Sequence, residues 1–287
     1  MAREPESFRI ELPGGTPTRA LIWPGAEEAE TALLIHHGLG EHAGRYQAYA
    51  DGLPSTLPIV AYDVRGHGEA EGPRGVVRGL TQLASDLHAV MPKLLRRSGA
   101  SKAVLFGHSM GAGAVGHYLT THEVHDFVSG VWLSGVPTKV DLDFVRRIQR
   151  FAARLLDGLA PDVTLPTNLD ANGISSVPAE IERYRNDPLV HDQASVALGR
   201  SLFDDPPKLL ERGHLLTMPL YLFHGKDDTI VNVAGTPALF DVIASSDKTM
   251  NIIESARHET HHETEAIVTE LMGKLTAWLQ DHGAVAN

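Results

Sequence analysis

A chain of 287 residues with 43% hydrophobic and 21% charged residues, 27 Gly and 17 Pro has the make-up of a folded globular protein, which argues against disorder and fibrous repeats. Lys and Arg number 25 against 36 Asp and Glu, and the resulting charge of −11 repels a phosphate backbone, so no nucleic-acid partner is expected. The absence of Cys removes disulfides, thiolate metal sites and a cysteine nucleophile, and fits a cytoplasmic protein. No apolar run reaches the roughly 18 residues of a membrane span, and Met1 to Pro17 lack the apolar core of a signal peptide. A prior of roughly 150 residues per domain allows either two domains or one core with a sizeable insertion.

In chain order, residues 8–23 predict antiparallel edge strands. Short, largely apolar runs closed by Gly, Pro, Asp or Ser predict buried strands at 31–37, 58–62, 103–107, 127–133, 219–224 and 250–253. Helical spacing occupies 80–97 and 111–121, and 263–280 reads as a long terminal helix. Strands alternating with helices require crossovers and hence a mainly parallel α/β sheet flanked by helices. Between Pro137 and Pro207 no strand pattern is present. Phe144, Val145, Ile148, Phe151, Ala152, Leu155, Leu156 and Leu159 instead follow i, i+3, i+4, i+7 spacing, with Arg146, Arg147, Arg150 and Arg154 mostly off the stripe. The expected organisation is a core of residues 1–136 and 208–287 with a helical cap, 137–207, over the C-terminal edge of the sheet, where open α/β sheets bind ligands.

Gly107-His108-Ser109-Met110-Gly111 lies between a predicted strand and a predicted helix, the setting of a nucleophile elbow. A tight turn there exposes the Ser109 hydroxyl, the glycines permit close approach of strand and helix, and the helix N-terminus supplies amide donors for an oxyanion. A serine hydroxyl needs a base and an orienting acid, expected in the order Ser, Asp or Glu, His. Asp227 and Asp228 follow the 219–224 strand, and His258 follows the 250–253 strand; the residues themselves leave the choice between the two aspartates open. His37-Gly38-Leu39-Gly40 closes the 31–37 strand, which nominates the amides of Leu39 and Met110 as the oxyanion hole. Gly38, Glu41, His42 and His108 surround this expected centre and are the candidate substrate-contacting residues.

Several motifs in order carry a family resemblance: His37-Gly38-Leu39-Gly40-Glu41-His42 with Arg45-Tyr46, Asp63-Val64-Arg65-Gly66-His67-Gly68, the elbow, Asn186-Asp187-Pro188-Leu189-Val190, His224-Gly225 with Asp228, and His258-Glu259. From about residue 30 to 265 the chain resembles monoacylglycerol lipases and lysophospholipase-like α/β-hydrolases. The resemblance implies the α/β-hydrolase fold and the triad Ser109, Asp228 and His258. It also implies a lid bordering an acyl channel, a lipid or ester substrate, and transient contact of the cap with a membrane or lipid droplet. No cofactor and no metal are implied. One departure is Ala70, which stands where the family pattern usually carries Ser.

The expected reaction is hydrolysis of a carboxylic ester through an acyl-enzyme, with monoacylglycerol as the first substrate choice. A general carboxylesterase or lysophospholipase is the alternative, and thioesterases and C–C hydrolases share the same triad. His258-Glu259-Thr260-His261-His262 also satisfies H-E-x-x-H, so a zinc hydrolase using His258 and His262 is a rival, as is a non-catalytic binding protein. On the serine reading His261 and His262 are expected to be solvated or paired with nearby acids, and His67 to hydrogen-bond within its loop.

Overall fold

The central strands are buried on both faces, which is why their sequences are unbroken apolar runs with no polar alternation. The structure, a computed structural model, describes residues 3–139 and 160–286. Its strands are β1 (Glu6–Leu12), β2 (Thr16–Trp23), β3 (Thr31–His36), β4 (Ile59–Tyr62), β5 (Lys102–His108), β6 (Val128–Ser134), β7 (Thr164–Pro166), β8 (Gln193–Ser195), β9 (Leu220–Gly225) and β10 (Lys248–Ile253). Its α-helices are α1 (Gln47–Gly52), α2 (Leu80–Ser98), α3 (Met110–Thr121), α4 (Pro178–Asn186), α5 (Val196–Asp204), α6 (Pro206–Arg212), α7 (Gly235–Val242) and α8 (Glu265–Asp281).

Eight strands form one sheet in the order β1-β2-β4-β3-β5-β6-β9-β10. The β1–β2 and β2–β4 pairs are antiparallel and the others parallel, so the antiparallel part is the N-terminal edge expected from residues 8–23. Period-two alternation divides each central strand between two cores. Leu34, Leu105, Leu133 and Leu222 pack with α2 and α3, whereas Ile35, Phe106, Trp132 and Phe223 pack with α1 and α8. A one-residue slip would exchange these sets, so both cores fix the register.

Helix α2 buries Leu83, Leu87, Val90, Met91 and Leu94 on one stripe and ends at Gly99, whose φ of 80° suits a left-handed cap. Pro92 interrupts it and removes the amide that would bond the His88 carbonyl. His125 Nε2 takes that place, donating to His88 O at 3.1 Å while its ring stacks on His88 at 4.2 Å. His125, beyond the end of α3, thus satisfies a carbonyl that Pro92 leaves orphaned on α2.

One expectation about 137–207 is corrected. Three-residue strands β7 and β8 pair antiparallel, Thr164 with Ser195 and Pro166 with Gln193. Ser195 N–H donates to Gly75 O and Leu80 N–H to Ser201 Oγ, tying this strand pair and α5 to the core loop before α2 and to its first residue. The 144–159 apolar stripe lies outside the described residues.

Candidate active site

Strand β5 delivers Ser109 to the start of α3 with φ 54° and ψ −120°. That conformation is costly for a residue with a Cβ, about 1–3 kcal/mol, and persists because its surroundings hold it. Ser109 N–H donates to Ser134 O (2.8 Å) and Gly113 N–H to Ser109 O (3.0 Å). A Cβ at Gly111 would meet His36 O at 2.1 Å, so only glycine lets α3 lie this close to β3.

The loops after β9 and β10 bring two more side chains to this turn. His258 Nε2 lies 2.8 Å from Ser109 Oγ, and His258 Nδ1 lies 2.6 Å from Asp228 Oδ2. Asp228 Oδ1 accepts the amides of Ile230 (2.7 Å) and Val231 (2.9 Å). Of the two aspartates it is Asp228 that meets His258: its side chain is 0% exposed, whereas Asp227 faces solvent. Burial alone would raise the Asp228 pKa, but His258 and His224 hold it far below the usual carboxylate range. Burial alone would lower the His258 pKa, and the Asp228 charge more than offsets this and raises it.

Ser109 and His258 open onto a cavity lined by Leu39, Met110, Pro137, Ile174, Leu202 and Phe203. Residues 173–174 also hold the His258 loop, since Gly173 O and Ile174 O accept the amides of His258 (3.3 Å) and Glu259 (2.7 Å).

The model of the family described as serine aminopeptidase, S33, matches residues 27–265. The chain belongs to this family. It is 30% identical to a monoacylglycerol lipase of Mycolicibacterium smegmatis over 91% of its own length and 92% of the relative's. A monoglyceride lipase of Rattus norvegicus is 28% identical over 92% of this chain and 87% of its own. The crystal structure of the Paleococcus ferrophilus monoacylglycerol lipase matches with a TM-score of 0.78 at 28% identity, covering 96% of this chain and 99% of that one. This S33-family protein therefore has the α/β-hydrolase fold and is a serine hydrolase.

The loop after β3 is built around Glu41. Its Oε1 accepts the Gly38 amide (2.6 Å) and the Tyr46 hydroxyl (2.8 Å), so Gly38 N–H is committed to the loop and Leu39 carries the next amide. Met110 opens α3, and the amide of a first helical residue has no intrahelical acceptor. Gly38, Glu41 and His108 all line the cavity. His108 Nδ1 lies 3.2 Å from Ser134 Oγ, and burial together with the neighbouring His258 pushes its pKa well below the ordinary value.

His42 does not line the cavity, which corrects its expected role. Its side chain caps the following 3₁₀ turn through Gly44 N–H (3.1 Å), and its Nε2 pairs with Asp187 (2.9 Å). His261 is corrected as well. It is buried rather than solvated, stacked on Tyr46 at 5.1 Å.

His262 does pair with an acid, Glu259 (2.7 Å), and its Nε2 donates to Arg45 O (3.0 Å). Thus the ring nitrogens of His258 and His262 are engaged with Asp228, Ser109, Glu259 and Arg45 O. Residues 260–262 form a 3₁₀ turn, so this H-E-x-x-H lacks the helix on which zinc-binding histidines share a face. Glu259 is also bound by Arg45 Nη2 at 2.5 Å, with both side chains 4% exposed. Breaking such a buried pair leaves an uncompensated charge, so Arg45→Met is expected to destabilise the fold by about 3–5 kcal/mol in denaturant titrations.

In the sequence His224 stands out only as part of the motif it forms with Gly225 and Asp228. The structure places its Nε2 2.9 Å from Asp228 Oδ2, the oxygen that also meets His258. The amides of Ile230 and Val231 that hold Asp228 are not visible in the sequence, because backbone donors carry no residue-type signature.

Proposed function

We propose that this protein hydrolyses monoacylglycerols to fatty acid and glycerol, with Ser109 as nucleophile, His258 as general base and Asp228 as the orienting acid. The observation that carries this reading is the continuous hydrogen-bonded chain from Asp228 Oδ2 through His258 to Ser109 Oγ, ending at the apolar cavity. The monoacylglycerol lipases among its relatives support the substrate class.

His258 Nε2 takes the Ser109 proton as Oγ attacks the ester carbonyl, and Asp228 stabilises the imidazolium. The Leu39 and Met110 amides receive the oxyanion, each worth about 2.7–4 kcal/mol. His258 then protonates the leaving glycerol oxygen, and water attacks the acyl-enzyme with the same base. Residues 137–207 act as the cap: Ile174, Leu202 and Phe203 give the acyl chain an apolar wall. Among the described residues no helix is long and apolar enough to cross a membrane. The working picture is a cytoplasmic enzyme that touches lipid transiently through the cap.

Hydrolysis rates for a chain-length series of monoacylglycerols and matched p-nitrophenyl esters, with and without EDTA, test this. A Ser109-dependent, EDTA-insensitive preference for medium or long monoacylglycerols is the expected result. Activity confined to short activated esters would keep the triad and remove the lipid substrate.

The base must be neutral to act. Since Asp228 raises the His258 pKa above 6.5, kcat/KM is expected to fall on acidification with a midpoint above pH 6.5, measured across pH 5–9.

A further inference from the structure

We propose that His224, held by Thr236, is a positioning residue for catalysis that tunes the basicity of His258 by donating a hydrogen bond to Asp228. This rests on the serine-hydrolase reading of Ser109, Asp228 and His258 and adds two residues behind the acid.

His224 stands at the end of β9 and is 0% exposed. Its Nε2 lies 2.9 Å from Asp228 Oδ2, and its Nδ1 lies 2.7 Å from Thr236 Oγ1 near the start of α7. An ionised carboxylate only accepts, so Nε2 carries the proton toward Asp228. In the neutral ring Nδ1 is then an acceptor, and the Thr236 hydroxyl donates to it, which selects this tautomer. A carboxylate has about four lone-pair sites. Here they are met by His258 Nδ1, His224 Nε2 and the amides of Ile230 and Val231. A carboxylate saturated in this way cannot rotate, and it can stay ionised although buried.

The arrangement depends on a close approach. A Cβ at Gly225 would meet Arg257 O at 2.0 Å, so the glycine after His224 lets the end of β9 come against the His258 loop. Both imidazoles can then share Oδ2.

The two donors compete for one oxygen. A hydrogen bond from His224 draws electron density from Asp228 and weakens its hold on the His258 imidazolium, keeping His258 less basic than a sole partner would be. Removing the donor raises the His258 pKa, and with it the acid limb of kcat/KM. The sign is the same whether His224 is neutral or charged, because either form presents a positive end to Asp228. Among the described residues, the other titratable groups around His258 are His108 from the end of β5, Glu259 from the same loop and Glu41 from the loop after β3. None of them is altered in the test.

The test compares pH profiles of kcat and KM for wild type, Ser109→Ala, His224→Phe, His224→Gln and Thr236→Val on one monoacylglycerol. Phe keeps the ring shape without a donor, whereas the Gln amide can reach the position of Nε2. The expected result is an acid limb about half a pH unit or more higher in His224→Phe, about a tenfold lower plateau kcat and little change in KM. His224→Gln should restore both, and Thr236→Val should move the limb in the same direction as Phe by less. A limb that stays at the wild-type pH in His224→Phe, or a Gln variant no better than Phe, overturns the role and leaves His224 as packing. Should the Phe variant fail to fold, an unmoved limb in Thr236→Val overturns it instead. Wild-type hydrolysis that persists in Ser109→Ala overturns the underlying reading together with the inference, whereas Ser109-dependent hydrolysis with an unmoved limb overturns the inference alone.

Discussion

Replacing Ser109 with Ala is expected to lower kcat for ester hydrolysis by about 10⁵- to 10⁶-fold while leaving the fold intact. The loss is large because the alternatives to Ser109 near His258 Nε2 are poor: Ser134 Oγ is committed to His108, and Glu41 is committed to the Gly38 amide and Tyr46. Water activated by His258 would remain, held against the same oxyanion donors, which accounts for a residual rate above the uncatalysed one. Stability should change little. The side-chain hydrogen bond lost is the one to His258, and Ala bears the same backbone strain at φ 54° as Ser. The measurement is single-turnover hydrolysis of a monoacylglycerol beside a thermal melt. A folded Ala variant that keeps full activity would remove Ser109 from the chemistry and reopen the zinc reading of His258 and His262.

The contrast between what the residues revealed and what they concealed has a physical pattern. Strands such as Ala103–Phe106 and Val131–Leu133 were legible because both faces are buried and every position must be apolar. The elbow was legible because the close packing of strand and helix around Ser109 demands glycine two residues to either side, at Gly107 and Gly111. β7 and β8 were not, since Thr164–Pro166 and Gln193–Ser195 are too short to show a period and are held by pairing to each other and to the loop at Gly75. His42 misled because it is close to the site in sequence, whereas the partner that fixes its ring, Asp187, is far along the chain. His261 misled because a polar residue beside charged ones reads as solvated, yet Tyr46 and Tyr49 fold over it. The same limit applies to the aspartate pair. Adjacent residues in a turn point in different directions, and the residues alone do not say which one points inward. The family resemblance implies Asp228, which is the buried one of the two.

Asp228→Asn is expected to lower kcat/KM by about 10⁴-fold, whereas Asp227→Asn should change it less than about twofold, as usual for an exposed side chain. The first loss follows from the fixed surroundings of Asp228. The amides of Ile230 and Val231 approach Oδ1 and cannot become acceptors, while His258 and His224 approach Oδ2. An asparagine has one acceptor oxygen and one NH₂ group. Placed with its NH₂ toward the backbone amides, it sets donors against donors at a site that cannot relax. Placed the other way, its oxygen accepts both amides and its NH₂ faces the two imidazoles. His258 must then accept at Nδ1 and carry its proton on Nε2, the nitrogen that has to receive the Ser109 proton. The variant therefore holds its base in the wrong tautomer, and it also loses the negative charge that raises the His258 pKa. Parallel assays of the two asparagine variants across pH 5–9 separate a tautomer defect, which persists on the alkaline plateau, from a simple protonation defect, which shifts the acid limb. Equal damage from both substitutions, or greater damage from Asp227→Asn, would overturn the assignment of Asp228 as the orienting acid.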